Sequence, residues 1–219
     1  MTSSSFDLVL LQETKLHNIT PFKLASFLPA SLANFVHLDA VGTSGGILTA
    51  WNNNLLRLKN SVIKDRSVSV QFECCSSNLT FWATNVYGPN AEIDRDSFFQ
   101  EIIDLQPTIS GPWIIAGDFN SVRSADDRNT GRVTVTETQR FNEWLHDLQV
   151  QELPLLDRNF TWSNMQSTPI LTRIDRVFFN AEWNAALPNS RLHTLPRSTS
   201  DHFPLNVDAS TQIPKSGLF

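Results

Sequence analysis

Cysteine and long apolar runs are scarce in this sequence of 219 residues. Its two cysteines, Cys74 and Cys75, are adjacent. Neighbours on a strand face opposite ways, so a disulfide framework is not expected and a reducing compartment fits. No apolar run approaches the roughly 20 residues that span a bilayer, and residues 1–5 lack the pattern of a secretory signal. The sequence therefore predicts an intracellular protein that does not enter a membrane.

Basic charge is also in short supply. Lys and Arg number 17 against 22 Asp and Glu, which gives a formal net charge of -5. Proteins that grip nucleic acid by neutralising phosphates alone are usually basic. Any contact with nucleic acid must therefore be local or assisted by a metal ion.

What is abundant is the strand-forming set of Phe, Val, Ile, Trp and Thr. With 41% hydrophobic and 18% charged residues, the composition predicts one globular domain over residues 1–210 and a frayed tail over 211–219. Two helices are predicted, one from about Asp94 to before Pro107 and one that starts with Thr136 as its N-cap. In the second, Thr136 and Gln139 have the spacing of a capping box.

The stretch 113–120, Trp-Ile-Ile-Ala-Gly-Asp-Phe-Asn, organises the chain. Its apolar run predicts a buried strand, and Gly117 allows the backbone to turn where the strand ends. Asp118 and Asn120 are alternate residues, so they share a face on extended chain. Such oxygen ligands on a rigid rim suit a divalent cation or a reacting phosphate. A strand that ends in a solvated turn explains the same residues.

Carboxylates recur at the ends of other predicted strands. They are Glu13, Asp175 and Asp201, and the last is followed by His202. Mg²⁺ needs few protein carboxylates when a substrate phosphate completes its coordination. A histidine oriented by a carboxylate can act as a general base, although a lone histidine is more often structural. Together these residues provide the types of side chain that hydrolysis of a phosphoester requires.

The loop after Asn120 is rich in charge. It contains Arg123, Arg128 and Arg132, with Asp126 and Asp127 among them. The arginines fit a local patch that contacts phosphate, and the same residues fit a solvated loop of mixed charge. The sequence favours neither interpretation.

Several motifs, taken in order, resemble the endonuclease/exonuclease/phosphatase superfamily. They are Gln-Glu-Thr at 12–14, Asn-Val-Tyr-Gly-Pro-Asn at 85–90, Gly-Asp-Phe-Asn at 117–120, Arg-Ile-Asp-Arg-Val at 173–177 and Ser-Asp-His at 200–202. Within that superfamily, segments 153–164 and 171–180 look most like the endonuclease domain of plant LINE-type (non-LTR) retrotransposons.

The resemblance implies an α/β (α+β) fold, a four-layer sandwich of two mixed β-sheets packed face to face with helices outside. It implies an enzyme that nicks duplex DNA and leaves a 3′-hydroxyl, with Mg²⁺ or Mn²⁺ as cofactor and the nucleus as its place of action. A reverse transcriptase domain is expected in a full-length element, and this sequence does not include one.

The resemblance also implies which residues act. Glu13 corresponds to a metal ligand, and Asp201 to a residue that supports the metal or orients the histidine. Asp118 corresponds to the residue that orients or deprotonates the attacking water. Asn120 corresponds to a residue that holds the phosphate in the transition state.

Other implied residues surround the phosphate. Tyr87 corresponds to a hydrogen-bond donor near the scissile group, and His202 to a phosphate ligand or base. Asp175 is implied to lie near the histidine or the metal. The further implied substrate contacts are Thr161, Ser200 and Arg123.

One departure from the family pattern bears on activity. Family members begin with a strand that carries an Asn, and this sequence begins one strand later, with the apolar strand at 6–11 expected to lack a neighbour. Two alternative functions follow. The chain is a catalytically impaired remnant of the domain, or it is a phosphatase of the same fold that acts on a small or lipid phosphoester.

Overall fold

Strands carry most of the secondary structure in the computed structural model, which describes residues 6–42, 44–197 and 199–209. The chain divides into two compact units, Met1–Asn120 and Ser121–Phe219. The tail predicted to fray, 211–219, lies outside the described residues. No helix in the described part of the chain is long and apolar enough to cross a membrane.

The first unit opens with a three-stranded antiparallel sheet. Its strands are β1 (Leu8–Leu11), β2 (Asn34–Val41) and β3 (Ser44–Trp51), in the order β1-β3-β2. A short helix, α1 (Pro21–Leu24), lies between β1 and β2, and the Thr20 hydroxyl caps its N-terminus. All four residues of β1 are partly exposed. The reason is that β1 is an edge strand among the described residues.

A second, mixed set of strands follows in the same unit. In spatial order these are β4 (Leu56–Ile63), β5 (Ser67–Cys74), β6 (Thr80–Tyr87) and β7 (Trp113–Asp118). The first three pair antiparallel, whereas β6 and β7 are parallel. Parallel neighbours need a crossover, and here it contains α2 (Arg95–Leu105), close to where the sequence predicted it.

The two sheets of the first unit pack against each other. Strand β3 contacts β5 and β6, and β2 contacts β5. The buried apolar residues of these strands include Leu48, Val70 and Phe72, all fully inaccessible. Burying each such side chain contributes about 1.5–3 kcal/mol. This core fixes the ends of β6 and β7, where the candidate site begins.

The second unit is built from shorter elements. They are α3 (Val135–Asp147), β8 (Gln151–Glu152), β9 (Trp162–Ser163), β10 (Leu171–Thr172), β11 (Asp175–Phe179), α4 (Ala181–Ala186), β12 (Arg191–Thr194) and β13 (Leu205–Asp208). The antiparallel pairs within it are β8 with β11, β9 with β10 and β12 with β13.

The start of α3 differs from its prediction. The helix begins at Val135 and its N-cap is Thr134, whose side chain makes no capping bond. Gln139 instead donates to Glu143 one turn later at 2.7 Å. The predicted capping box at Thr136 is therefore wrong, because Gln139 finds an i,i+4 partner on the helix surface.

Candidate active site

The parallel pairing of β6 and β7 places Tyr87 beside Asp118. These two residues are partners in the strand register, at the carboxyl ends of both strands. Asp118 is 5% exposed. A buried carboxylate needs hydrogen bonds to compensate for lost hydration, and the turn that follows provides them.

Asn120 binds Asp118 through both its backbone and its side chain. Its backbone N–H donates to Asp118 Oδ1 at 2.9 Å and its Nδ2 donates to Oδ2 at 3.1 Å. The same Nδ2 lies 2.9 Å from the Gly88 carbonyl. Asn120 has a φ of 47°, in the left-handed region, which is strained for a residue other than glycine and recurs at functional sites.

Two glycines make this close packing possible. Gly117 has a φ of 147°, and a Cβ there would lie 2.1 Å from the Val86 carbonyl oxygen. A Cβ on Gly88 would lie 2.3 Å from the Phe119 carbonyl oxygen. Both obstacles are backbone atoms, so no side chain is tolerated at either position without movement of a strand.

Tyr87 lies in a negative and partly buried environment. Burial raises its pKa to about 12, with further contributions from the charges of Glu13 and Asp118. The phenol therefore stays protonated at neutral pH and is suited to donate a hydrogen bond. The same effects show that both carboxylates act electrostatically on one tyrosine.

Glu13 lies just beyond β1 and is exposed. Its φ of 50° is again left-handed. The next two residues hold this backbone in place, since Thr14 N–H donates to the Gly46 carbonyl at 3.1 Å and Lys15 N–H to the Gly45 carbonyl at 3.0 Å. Lys15 Nζ lies 3.3 Å from Glu13 Oε1.

Asn85 is a member of this group that the sequence did not single out. It is fully buried on β6, and its Nδ2 donates to the Leu48 carbonyl at 3.0 Å. Its Oδ1 accepts from Gln12 Nε2 at 2.5 Å. This bond ties the residue beside Glu13 to the core of the unit. We call Gln12, Glu13, Asn85, Tyr87, Asp118 and Asn120 the first cluster.

The first cluster contains two carboxylates, Glu13 and Asp118, and the sequence predicts Glu13 as a metal ligand. No group of three or more His, Cys, Asp or Glu side chains in the described ranges is arranged to hold a metal ion. Mg²⁺, however, is commonly bound by one or two carboxylates together with substrate phosphate. Glu13 is exposed and therefore accessible to such an ion, whereas both oxygens of Asp118 accept hydrogen bonds from Asn120.

The second unit contains a histidine held by a carboxylate. His202 Nδ1 lies 3.0 and 2.9 Å from the two oxygens of Asp175. Asp175, at the start of β11, is 9% exposed. A carboxylate at Nδ1 favours a proton on that nitrogen and makes Nε2 the basic one. The predicted proximity of Asp175 to the histidine is therefore present in the structure.

Two neighbours fix this pair. Thr161 is fully buried, and its hydroxyl accepts from the backbone N–H groups of Ile174 and Asp175 at 3.2 and 3.1 Å. Trp162 forms an antiparallel bridge with His202. We call Thr161, Trp162, Asp175, Asp201 and His202 the second cluster.

Asp201, predicted to support the metal, and Ser200 and Thr161, predicted to contact substrate, all have hydrogen-bond partners within the second unit. The Asp201 carboxylate accepts from Trp162 Nε1 at 2.9 Å. The Ser200 hydroxyl accepts from His202 N–H at 3.0 Å. Thr161, predicted to contact phosphate, is fully buried, and its hydroxyl accepts from the backbone N–H groups of Ile174 and Asp175.

Arg123 was also predicted to contact substrate. Its Nη1 donates to Glu152 Oε2 at 2.7 Å and its Nε to Asn142 Oδ1 at 2.9 Å. The same Glu152 binds Arg176, which is 1% exposed and also pairs with Asp127 at 2.5 Å. Arg123 is thus part of an internal ionic network, and the patch of Arg123, Arg128 and Arg132 stays a prediction.

The charges of that network outweigh the effect of burial. Burial alone would raise the pKa of Glu152, but Arg176, Arg123 and Arg173 lower it below its usual value. Glu152 therefore stays ionised, and it holds the loop after Asn120 within its unit. Nothing in the sequence signals this role, since Glu152 is an ordinary acidic residue after a helix.

Comparison with known proteins agrees with this geometry. The model of the Endonuclease/Exonuclease/phosphatase family matches residues 1–202, so the chain belongs to that family. No protein of curated function matches it by sequence.

Solved structures show the same fold. The endonuclease domain of TRAS1, a telomere-specific non-LTR retrotransposon, is 13% identical with a TM-score of 0.69, over 94% of this chain and 87% of that one. The 3′ phosphatase NExo from Neisseria, bound to product DNA hairpin, is 19% identical with a TM-score of 0.69, over 93% and 89%. The AP endonuclease LMAP from Leishmania major is 15% identical with a TM-score of 0.67, over 91% and 77%. The predicted α+β class with mixed sheets is confirmed.

Proposed function

We propose that this protein is a metal-dependent phosphodiesterase that nicks duplex DNA and leaves a 3′-hydroxyl. The observation that carries the proposal is the pair of His202 and Asp175, joined at 2.9–3.0 Å. An imidazole oriented in this way is suited to accept a proton from water or to bind a phosphate oxygen. The retrotransposon likeness of segments 153–164 and 171–180, together with the TRAS1 fold, supports DNA as substrate.

The first cluster supports the same reaction. Asp118 is held as an oriented carboxylate by Asn120, which suits it to position a water molecule. Tyr87 is protonated and suited to donate to phosphate. A bound Mg²⁺ or Mn²⁺ would supply charge stabilisation on the phosphate oxygens, and Glu13 is the carboxylate we propose to hold it. Asp201 remains a predicted metal-supporting residue.

Nicking of supercoiled plasmid tests the proposal. Purified protein is assayed with Mg²⁺, with EDTA, and as the variants His202→Ala and Asp118→Asn. We expect metal-dependent nicking that falls by about 10²-fold or more in either variant, the range for loss of a general base. The matched control is His193→Ala, because His193 bonds to Asn206 and belongs to neither cluster.

Two results would replace the proposal. Absence of nicking by protein that melts cooperatively would identify a folded domain without nuclease chemistry. Hydrolysis of a phosphoinositide without nicking would instead favour the phosphatase alternative, which the net charge of -5 suits.

A further inference from the structure

Two arginines stack on the residue that follows His202. The guanidinium carbon of Arg158 lies 3.6 Å from the centre of the Phe203 ring, and that of Arg197 lies 4.3 Å from it. The face of an aromatic ring attracts a cation, and arginine favours this stacked arrangement. The ring therefore holds two like charges close together beside the second cluster.

Each guanidinium is anchored by one hydrogen bond. Arg158 Nε donates to Thr194 Oγ1 at 2.8 Å, and Arg197 Nη1 donates to the Asp201 carbonyl at 3.2 Å. Phe203 is fixed as well, since its N–H donates to the Thr161 carbonyl at 2.8 Å. These hydrogen bonds limit the motion of the two arginines. They leave several guanidinium N–H donors on each arginine for another partner.

Neither arginine forms an ion pair with a carboxylate in the part of the chain that the structure describes. The acidic residues nearest them in the sequence, Asp157 and Asp201, bond to other groups. The hydrogen bonds from Thr194 lower the pKa of Asp157, although the charge of Arg158 adds to this effect. Asp157 accepts from the Thr194 backbone and hydroxyl, at 3.1 and 2.6 Å, and Asp201 accepts from Trp162. The contrast is with Arg176, whose charge is matched by Asp127 and Glu152.

We infer that Arg158 and Arg197, stacked on Phe203, form a clamp for the phosphates of a polynucleotide backbone. The inference rests on the proposed function and explains how a protein with a net negative charge binds a polynucleotide. A planar guanidinium donates two parallel hydrogen bonds to one phosphate group. Two such groups fixed on one ring match successive phosphates of a strand better than a membrane surface, which recruits larger basic clusters.

Binding of a fluorescent DNA duplex in EDTA tests the clamp without turnover. The double variant Arg158→Ala/Arg197→Ala should weaken binding at least tenfold and reduce the slope of log K against log salt by about 1.8, because each phosphate contact contributes about 0.9 to that slope. Phe203→Leu keeps both charges and removes the ring, so it should weaken binding several-fold with a smaller change in slope.

Controls separate the clamp from overall charge and from folding. Arg191→Ala removes an exposed arginine that stacks on no ring among the described residues, and we expect it to change binding less than twofold. Arg158→Lys/Arg197→Lys keeps the charge and loses the planar stack, so it should recover only part of the affinity. Thermal melting of every variant shows that the folded state is being compared.

The outcomes are decisive for the clamp and independent of the nuclease test. Equal effects of Arg191→Ala and of the double alanine variant on DNA binding would overturn the inference, since net charge alone would then explain binding. Tight binding to phosphoinositide vesicles with none to DNA would also overturn it. If only the nuclease proposal fails, the protein does not nick plasmid but the double variant still reduces the slope of log K against log salt. If only the clamp fails, the protein nicks plasmid and the double variant leaves that slope unchanged.

Discussion

The two clusters are held in place by different means. In the first, backbone geometry positions Asp118, through parallel strands, two glycines and a left-handed Asn120. In the second, side chains do most of this work: a carboxylate holds His202 and a buried hydroxyl holds Asp175. A site fixed by backbone is most sensitive to added volume, and a site fixed by side chains is most sensitive to lost hydrogen bonds.

The largest effect should come from added volume in the first unit. Gly117→Ala places a Cβ against the Val86 carbonyl oxygen, so β6 and β7 must separate. We expect the free energy of unfolding to fall by more than ~4 kcal/mol, as for other severe core changes. Urea denaturation measures this free energy.

Gly131→Ala is the control, since the φ of Gly131 is 64° but no described atom lies within 4 Å of the new Cβ. This substitution should lower the free energy of unfolding by about 1–2 kcal/mol. Similar losses for both variants would contradict the close-approach argument.

The next effect should come from the ionic network of the second unit. Arg176→Met leaves Glu152 and Asp127 without their buried partner. Breaking such a pair on one side costs about 3–5 kcal/mol. Equilibrium denaturation is again the measurement, with Arg191→Met as an exposed control. A loss below ~1 kcal/mol would show that the network is not needed for stability.

A smaller effect should follow from the buried hydroxyl of the second cluster. Thr161→Val keeps the shape but leaves the N–H groups of Ile174 and Asp175 without their acceptor. We expect a loss of about 1–3 kcal/mol in stability and slower nicking, because Asp175 is less well positioned. Thr161→Ser should restore both. Unchanged nicking by the valine variant would separate Thr161 from the positioning of Asp175.

The smallest effect is a titration that reports the charge of the first cluster. Tyr87 is the only tyrosine in the chain, so ultraviolet absorbance follows it directly. Its pKa should be about 12 in the folded protein and about 10 in denaturant. Because the folded pKa is the higher one, the free energy of unfolding should fall as pH rises from about 10 to about 12.

The same titration can test the origin of the shift. Glu13→Gln should lower the pKa of Tyr87, since the Glu13 charge helps to raise it. Lys59→Gln serves as the control, because Lys59 pairs with Glu73 at the sheet edge. If the pKa of Tyr87 is the same in Glu13→Gln, the Glu13 charge does not contribute to the raised pKa.

Local features of both clusters were predictable from the sequence. The apolar run before Gly117 indicated β7, but Asn120 meets Asp118 through a left-handed turn after the strand and not through strand alternation. The pairing of Gln12 with Asn85 was not predictable, because it joins residues 73 positions apart and depends on strand register. The same limit applies to Arg123 and Thr161: the family resemblance implied substrate contact, but only tertiary packing shows their internal partners.

The parallel pairing of β6 and β7 also affects how the protein folds. Tyr87 and Asp118 are far apart in sequence, and they meet only after the crossover through α2 has closed. Closing such a loop lowers the entropy of the chain before the contacts that compensate for this loss have formed, so non-local pairing is slow. A partly synthesised or partly unfolded chain therefore lacks the first cluster altogether. Whatever chemistry this site performs is switched on by completion of the fold.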